Sequence, residues 1–175
     1  VAMIASRSHV AQMQGKSEEA MKWLEQGLEE NLLDPILTLK KCEHELDQKD
    51  VEAARDSIET LRSLGTRTDW VNYLEVRMLM VDGHWRRASR QLEKIMNTLI
   101  ARNPQLATQV YLSLAQCYEN LGDWDLAISA ANSVPSDSPQ KLAAVLVKAQ
   151  SFLAKRQYDR AIEGYRTIYE SRAAA

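Results

Sequence analysis

The sequence predicts an all-α protein, a solenoid built from five antiparallel helix pairs, and two observations carry this prediction. With only 4 prolines and 6 glycines in 175 residues and 45% hydrophobic content, the composition favours helix nearly everywhere. A short motif (a turn, two polar residues, an alanine and then an apolar helix) recurs at spacings of 34, 34, 39 and 34 residues. Chance rarely returns one interval three times, so the chain reads as a repeat array.

The recurring alanine marks where the two helices of each pair approach closely. A larger side chain at this position would push apart two antiparallel helices that are joined by so short a turn. The aligned alanines are Ala20, Ala54, Ala88, Ala127 and Ala161. The first helix of a pair is expected to end at a glycine in the left-handed conformation. These turn glycines are Gly15, Gly83 and Gly122. The side chains expected to cap the second helices belong to Ser17, Asp50 and Asp123.

The spacing divides the chain into five repeats of one continuous array. The predicted repeats are 1–34, 35–68, 69–107, 108–141 and 142–175. The five extra residues between Ala88 and Ala127 are expected to lengthen either the helix running toward Ala101 or the loop at Asn103.

The repeat resembles the tetratricopeptide repeat family, and the fourth unit matches its pattern best. The matching residues there are Tyr111, Leu114, Ala115, Tyr118, Gly122 and Ala127. The first two units depart from the pattern in their first helices, for example at Lys41 and Glu45, where larger apolar residues are usual. The resemblance implies a right-handed α-solenoid and a protein-interaction scaffold that binds a partner peptide or helix in a concave groove, without catalysis.

The groove is expected to be lined by the inward-facing side chains of the first helices. Amide side chains can both donate to and accept from a peptide backbone, and Trp, Tyr and Arg are frequent interface hot spots. The candidate partner-binding residues are Trp70, Tyr73, Arg77, Gln109, Leu112, Gln116, Asn120 and Gln150. The alternative is that Trp70 and Met80 merely pack against the following repeat.

Charge disfavours nucleic acid as the partner. The net charge is −2 and the isoelectric point is about 6.0, so there is no overall attraction to a polyanion. Arg86, Arg90 and Lys94 form a local basic stripe at i, i+4 and i+8, beside Arg87. A solvated helix face, or contact with an acidic partner, explains this stripe better than nucleic acid does.

No catalytic, cofactor or metal constellation is visible, so we expect no enzyme activity, no cofactor and no metal. The sequence has no glycine-rich phosphate loop, no His-Glu-x-x-His pair and no Cys-x-x-Cys. The three histidines fall in three different repeats and are interpreted as surface or groove residues: His9, His44 and His84. Cys42 and Cys117 are interpreted as buried core residues rather than a disulfide.

Two further roles stay open. The chain could be a regulatory or sensor module of a larger protein with a DNA-binding or enzymatic domain, or it could self-associate by stacking at Tyr158 or Tyr165. It begins at a valine without a signal-like segment, so we expect a piece excised from a longer protein. No compartment is assigned, although the cytoplasm is favoured. The apolar run 142–147 is too short to insert into a membrane.

Overall fold

The computed structural model describes residues 1–173, without the side chains of Gln105 and Arg172. All regular structure in this range is helical, with ten α-helices and one short 3₁₀ turn. The contacts of the chain group it into two compact units, Val1–Asp82 and Gly83–Ala175. No helix among residues 1–173 has both the length and the apolar character needed to cross a membrane.

The first unit contains five helices, each packed on the next. They are α1 (Ala2–Met13), α2 (Ser17–Glu30), α3 (Pro35–Asp47), α4 (Val51–Ser63) and α5 (Thr68–Val81). The first helices of the pairs, α1, α3 and α5, also pack side by side. Two clusters form the core. The smaller one centres on Ile4, Leu24 and Leu37, and the larger one contains Cys42, Leu46, Ala54, Ile58, Leu61, Val71 and Leu74.

The polar residues that depart from the repeat pattern in α3 form a polar group around one buried carboxylate. Glu45 is buried, and its carboxylate accepts a hydrogen bond from Ser57 Oγ on α4 at 2.7 Å. Lys41 lies one turn earlier on α3, with its Nζ 3.5 Å from the same carboxylate. A buried carboxylate is tolerated when it is both paired and hydrogen-bonded. This group therefore replaces the apolar contacts that other repeats use.

The second unit contains the other five helices. They are α6 (Trp85–Arg102), α7 (Ala107–Leu121), α8 (Trp124–Asn132), α9 (Lys141–Ala154) and α10 (Tyr158–Ala173). A 3₁₀ turn over Pro104–Leu106 precedes α7. With 18 residues, α6 is longer than α2 and α4, which have 14 and 13, so the five extra residues lengthen the helix. Because proline cannot continue a helix, α8 ends ahead of Pro135 after only 9 residues.

The aligned alanines are in the core, as predicted. Each of Ala20, Ala54, Ala88, Ala127 and Ala161 is at most 2% exposed. The three turn glycines all have positive φ, between 73° and 79°. The capping prediction is right only for Asp50, whose carboxylate accepts a hydrogen bond from the Ala53 amide at 3.1 Å. Asp123 makes no side-chain cap, and the Ser17 hydroxyl pairs instead with His44 Nε2 at 3.1 Å. The observed architecture is the all-α helical-repeat solenoid class that the spacing predicts.

Candidate functional site

The exposed side of α7 and α9 carries most of the predicted groove residues of the second unit. Leu112 and Gln116 on α7 are half-buried, and the residues 34 positions later, Leu146 and Gln150 on α9, are exposed. Because α7 packs against α9, these equivalent positions lie on the same side of the two helices. They form one row of leucines and one row of glutamines, a surface that we call the leucine–glutamine surface.

The amide groups of this surface are free for a ligand. Within residues 1–173, the side chains of Gln109, Gln116 and Gln150 have no hydrogen-bond partner. Asn120, one turn beyond Gln116, donates from Nδ2 to the Gln116 carbonyl oxygen at 2.8 Å, which holds its side chain along the helix. An exposed amide without an internal partner has one acceptor and two donors to offer.

A polar cavity borders this surface at the start of α7. It has a volume of about 490 Å³ and is lined by Thr108 and Gln109 and, from the segment between α8 and α9, by Pro135, Asp137, Ser138, Pro139 and Gln140. The segment is held by its own hydrogen bonds, since Ser138 Oγ donates to Gln140 Oε1 at 2.8 Å and accepts from the Gln140 amide at 3.0 Å. The cavity therefore extends the exposed polar area beyond Gln109.

The predicted groove residues of the first unit are less available than the sequence suggests. Tyr73 is only 3% exposed, so it is a core residue rather than an open contact, and Trp70 is half-buried. Arg77 Nη2 donates to Asp47 Oδ1 on α3 at 2.7 Å. The other Asp47 oxygen accepts from Gln12 Nε2 on α1 at 2.8 Å. Arg77 thus belongs to a polar chain across three first helices, and an anionic ligand must compete with Asp47 for it.

The basic stripe on α6 is exposed, as its helical spacing requires. Arg86, Arg90 and Lys94 all point away from the buried side of the helix, which is formed by Ala88 and Leu92. An open cavity of about 290 Å³ lies beside it, lined by His84, Trp85, Arg86, Arg87 and Leu121 together with Gly83.

The thiols and one histidine are interior groups. Burial raises the pKa of both Cys42 and Cys117 to about 12, with smaller contributions from nearby carboxylates. At neutral pH these thiols are protonated and weakly nucleophilic. The prediction that His44 lies on the surface or in the groove is wrong, because it is 3% exposed and packs between α2 and α3. Among the described residues, no group of three or more His, Cys, Asp or Glu could hold a metal ion.

Comparison with known proteins identifies the repeat. The tetratricopeptide repeat model matches residues 109–140, which contain α7 from Gln109 onward and the whole of α8. No curated protein matches the chain.

Solved structures share the fold over nearly the whole chain at low identity. TTC0263, a thermophilic TPR protein from Thermus thermophilus, superposes with a TM-score of 0.74 at 18% identity, covering 97% of this chain and 90% of its own. MamA from Desulfovibrio magneticus RS-1 gives a TM-score of 0.63 at 17% identity, with 99% and 95% covered. YrrB, a TPR protein with an unusual peptide-binding site, gives 0.57 at 16% identity, with 95% and 84% covered. The chain therefore contains a tetratricopeptide repeat at residues 109–140, and over nearly its whole length it has the fold of the solved tetratricopeptide-repeat proteins.

Proposed function

We propose that the chain is a protein-interaction scaffold that binds an extended peptide segment of a partner across the leucine–glutamine surface of α7 and α9. Tetratricopeptide-repeat proteins generally act as such scaffolds, and YrrB is a relative in fold with a peptide-binding site. One observation carries the proposal. Gln116 and Gln150 occupy equivalent positions on α7 and α9, their side-chain amides have no internal hydrogen-bond partner, and they lie beside the equivalent leucines Leu112 and Leu146.

The chemistry of this surface suits a peptide backbone. An extended segment has both N–H and C=O groups to satisfy, and each glutamine amide can pair with either. Alternate side chains of the same segment point to one side, where the leucine row offers apolar contact. Because both rows stand on packed helices, the protein loses little conformational entropy on binding, and the cost falls mainly on the peptide.

The leucine–glutamine surface is also uncharged, which distinguishes it chemically from the basic stripe on α6, the other candidate binding surface of this unit. None of the four residues that define it is ionisable, whereas the α6 stripe consists of arginine and lysine. Binding at the leucine–glutamine surface should therefore depend weakly on ionic strength. Binding of an acidic partner at Arg86 and Arg90 should weaken steeply as salt screens the charges.

A selection experiment tests the proposal. Peptides are selected on the immobilised chain from a random library, and their affinities are measured by calorimetry for the wild type and for variants. We expect Gln116→Ala/Gln150→Ala to weaken binding about thirtyfold, since each lost hydrogen bond costs about 1 kcal/mol. The control Arg86→Ala/Arg90→Ala also removes two long exposed side chains and should leave the affinity within about twofold.

The reverse ranking, together with a strong loss of affinity at high salt, would move the binding site to the α6 stripe. Selection that yields no peptide binder would count against an extended-peptide ligand altogether.

A further inference from the structure

The first turn of α6 has the opposite charge to the first turns of the other second helices. The peptide dipoles leave the N-terminal end of a helix partly positive, so acidic side chains are favourable there and basic ones are not. The first turns of α2, α4, α8 and α10 contain the acidic residues Glu18, Glu19, Glu52, Asp125 and Asp159. The first turn of α6 has no acidic residue and contains Arg86 and Arg87 instead.

Positive charge continues along the exposed face of α6. Arg86, Arg90 and Lys94 follow one another at four-residue intervals, so like charges are neighbours on the helix surface and repel one another. Within residues 1–173, no carboxylate pairs with any of these three side chains. The only acidic residue in the sequence of α6 is Glu93, and its carboxylate accepts a hydrogen bond from Tyr118 Oη of α7 at 2.7 Å. The one acid of this helix is therefore engaged with α7 rather than with the stripe.

This charge pattern lowers the stability of α6. Two arginines oppose the helix dipole, and three like charges repel one another along one face. On α4, by contrast, Arg55 pairs at 3.6 Å with Glu52, one turn earlier. Residues that disagree with their local structure are expected at functional sites. An anion bound along α6 would remove both penalties, which indicates that the stripe is a binding surface.

An apolar recess lies at the start of the stripe. The open cavity of about 290 Å³ that borders Arg86 and Arg87 is also lined by Trp85 and Leu121, which are both half-buried. Tryptophan and arginine are frequent among the residues that dominate the binding energy of interfaces. A ligand that follows the stripe can therefore place one apolar side chain in this cavity.

We propose that the exposed face of α6 is a second binding site, and that its ligand is an acidic α-helix of a partner protein. Arg86, Arg90 and Lys94 succeed one another by about 6 Å along the helix axis. Carboxylates at four-residue intervals on another helix have the same spacing, so each can pair with one cation, and an arginine can bind a carboxylate through two parallel hydrogen bonds. One turn beyond the last carboxylate, an apolar side chain reaches the cavity at Trp85. The site lies on a different helix from the leucine–glutamine surface and does not depend on it.

The extent of the stripe favours a short acidic helix over nucleic acid. Its three cations span about 12 Å. The next second helix of the same unit, α8, contains no basic residue, and Asp123 and Asp125 are exposed at its start. Nucleic acid binds tightly to proteins that neutralise many phosphates. Because the basic surface does not continue onto α8, a ligand one helix long matches it better.

Two designed peptides test the proposal. The probe is a fluorescein-labelled, alanine-rich helical peptide with three glutamates at four-residue intervals and a leucine one turn beyond each end of the row. The control peptide has the same composition and a matched helix content, but its glutamates are consecutive and point to different sides of the helix. Fluorescence anisotropy with the full chain should give an affinity for the probe at least about tenfold higher than for the control peptide, and this affinity should fall as salt is added.

Variants of the chain locate the site. Arg86→Ala/Arg90→Ala should weaken binding of the probe about tenfold, because two of the three ion pairs are lost. The matched control is Arg160→Ala/Arg166→Ala on α10, which also removes two exposed arginines of a second helix. It changes the net charge equally and should leave the affinity within about twofold.

A third variant separates binding from stability. Arg86→Glu/Arg87→Glu gives α6 an acidic first turn like those of the other second helices. It should abolish binding of the probe and yet raise the midpoint of thermal unfolding by about 2–4 °C, since the new charges agree with the helix dipole. A lower midpoint would contradict the cost assigned to the two arginines.

The contrary outcomes are specific. A probe that does not bind below about 1 mM overturns the proposal. So does equal binding of the two peptides, or an equal loss in the α10 variant, because either result shows attraction to net charge alone. A single-stranded oligonucleotide of the same charge that binds more tightly than the probe would assign the stripe to nucleic acid. Loss of probe binding in Gln116→Ala/Gln150→Ala would place the acidic helix on the leucine–glutamine surface, whereas failure of the peptide selection would leave the α6 site unaffected.

Discussion

The residue five positions before each aligned alanine has a left-handed backbone. In three repeats this residue is a glycine, but Lys49 and Arg156 occupy the same position in the second and fifth repeats with φ of 62° and 60°. An L-residue with a side chain pays about 1–2 kcal/mol to adopt this conformation, whereas glycine does not. The turn geometry is therefore kept in all five repeats, at an energetic cost in two of them.

This cost gives a prediction at the residue scale. Lys49→Gly and Arg156→Gly should each raise the free energy of unfolding by about 1 kcal/mol, because both side chains leave a strained conformation. The matched control is Gly15→Ala, which should lower the free energy of unfolding by about the same amount. An added Cβ there meets nothing within 4 Å, so the loss is purely conformational. Urea unfolding measures all three, and a destabilised Lys49→Gly would contradict the account.

Single residues also show how far the sequence can predict the site. The alanine register is read correctly because a small residue at a helix crossing is a local requirement. Two features depend on side chains that are distant in sequence: Arg77 contacts Asp47, 30 residues away, and His44 contacts Ser17, 27 residues away. The burial of Tyr73 depends on packing that the periodicity of the sequence does not report. The sequence identifies Gln116 and Gln150 as candidate groove residues from their helical positions, but it could not show that their side chains lack internal hydrogen-bond partners.

At the scale of elements, the repeat spacing and the prolines determine the lengths of the helices, and the size of the side chains between two helices determines how closely they pack. The long α6 and the short α8 agree with the repeat spacing and with the prolines after residue 134. The approach of α9 to α10 depends on Gly164, where an added Cβ would lie 2.8 Å from the Cβ of Ala149. That contact is too close for two methyl groups, so the pair requires glycine on one side.

Gly164→Ala should therefore lower the free energy of unfolding by about 1–2 kcal/mol, in spite of the better helix propensity of alanine. The comparison is Gly27→Ala on α2, where the added Cβ would lie 2.8 Å from Ile4 Cγ2 and 2.9 Å from Leu37 Cδ1. These methyl groups can shift by side-chain rotation, whereas the Cβ of Ala149 is fixed to the backbone. Gly27→Ala should therefore lower the free energy of unfolding by less than Gly164→Ala does. The double variant Ala149→Gly/Gly164→Ala should recover part of the stability, and failure to do so would contradict the steric explanation.

At the scale of the whole molecule, each compact unit contains one buried thiol. Cys42 lies in Val1–Asp82 and Cys117 in Gly83–Ala175, and burial keeps both protonated at neutral pH. If the five repeats form a single array, coupled through neighbouring interfaces, the two thiols should become reactive at the same urea concentration. Thiol labelling with mass spectrometry of the two cysteine peptides measures this. Two separate transitions would mean that the units unfold independently.

The most direct test of the scaffold proposal observes the glutamine side chains themselves. In the ¹⁵N-labelled chain, the side-chain NH₂ signals of Gln116 and Gln150 are assigned by their loss in the alanine variants and followed during titration with a selected peptide. The account predicts that both signals shift with the same dissociation constant, while that of Gln26 on α2 stays in place. Unchanged Gln116 and Gln150 signals, with shifts confined to the side-chain N–H groups of Arg86 and Arg90, would contradict it.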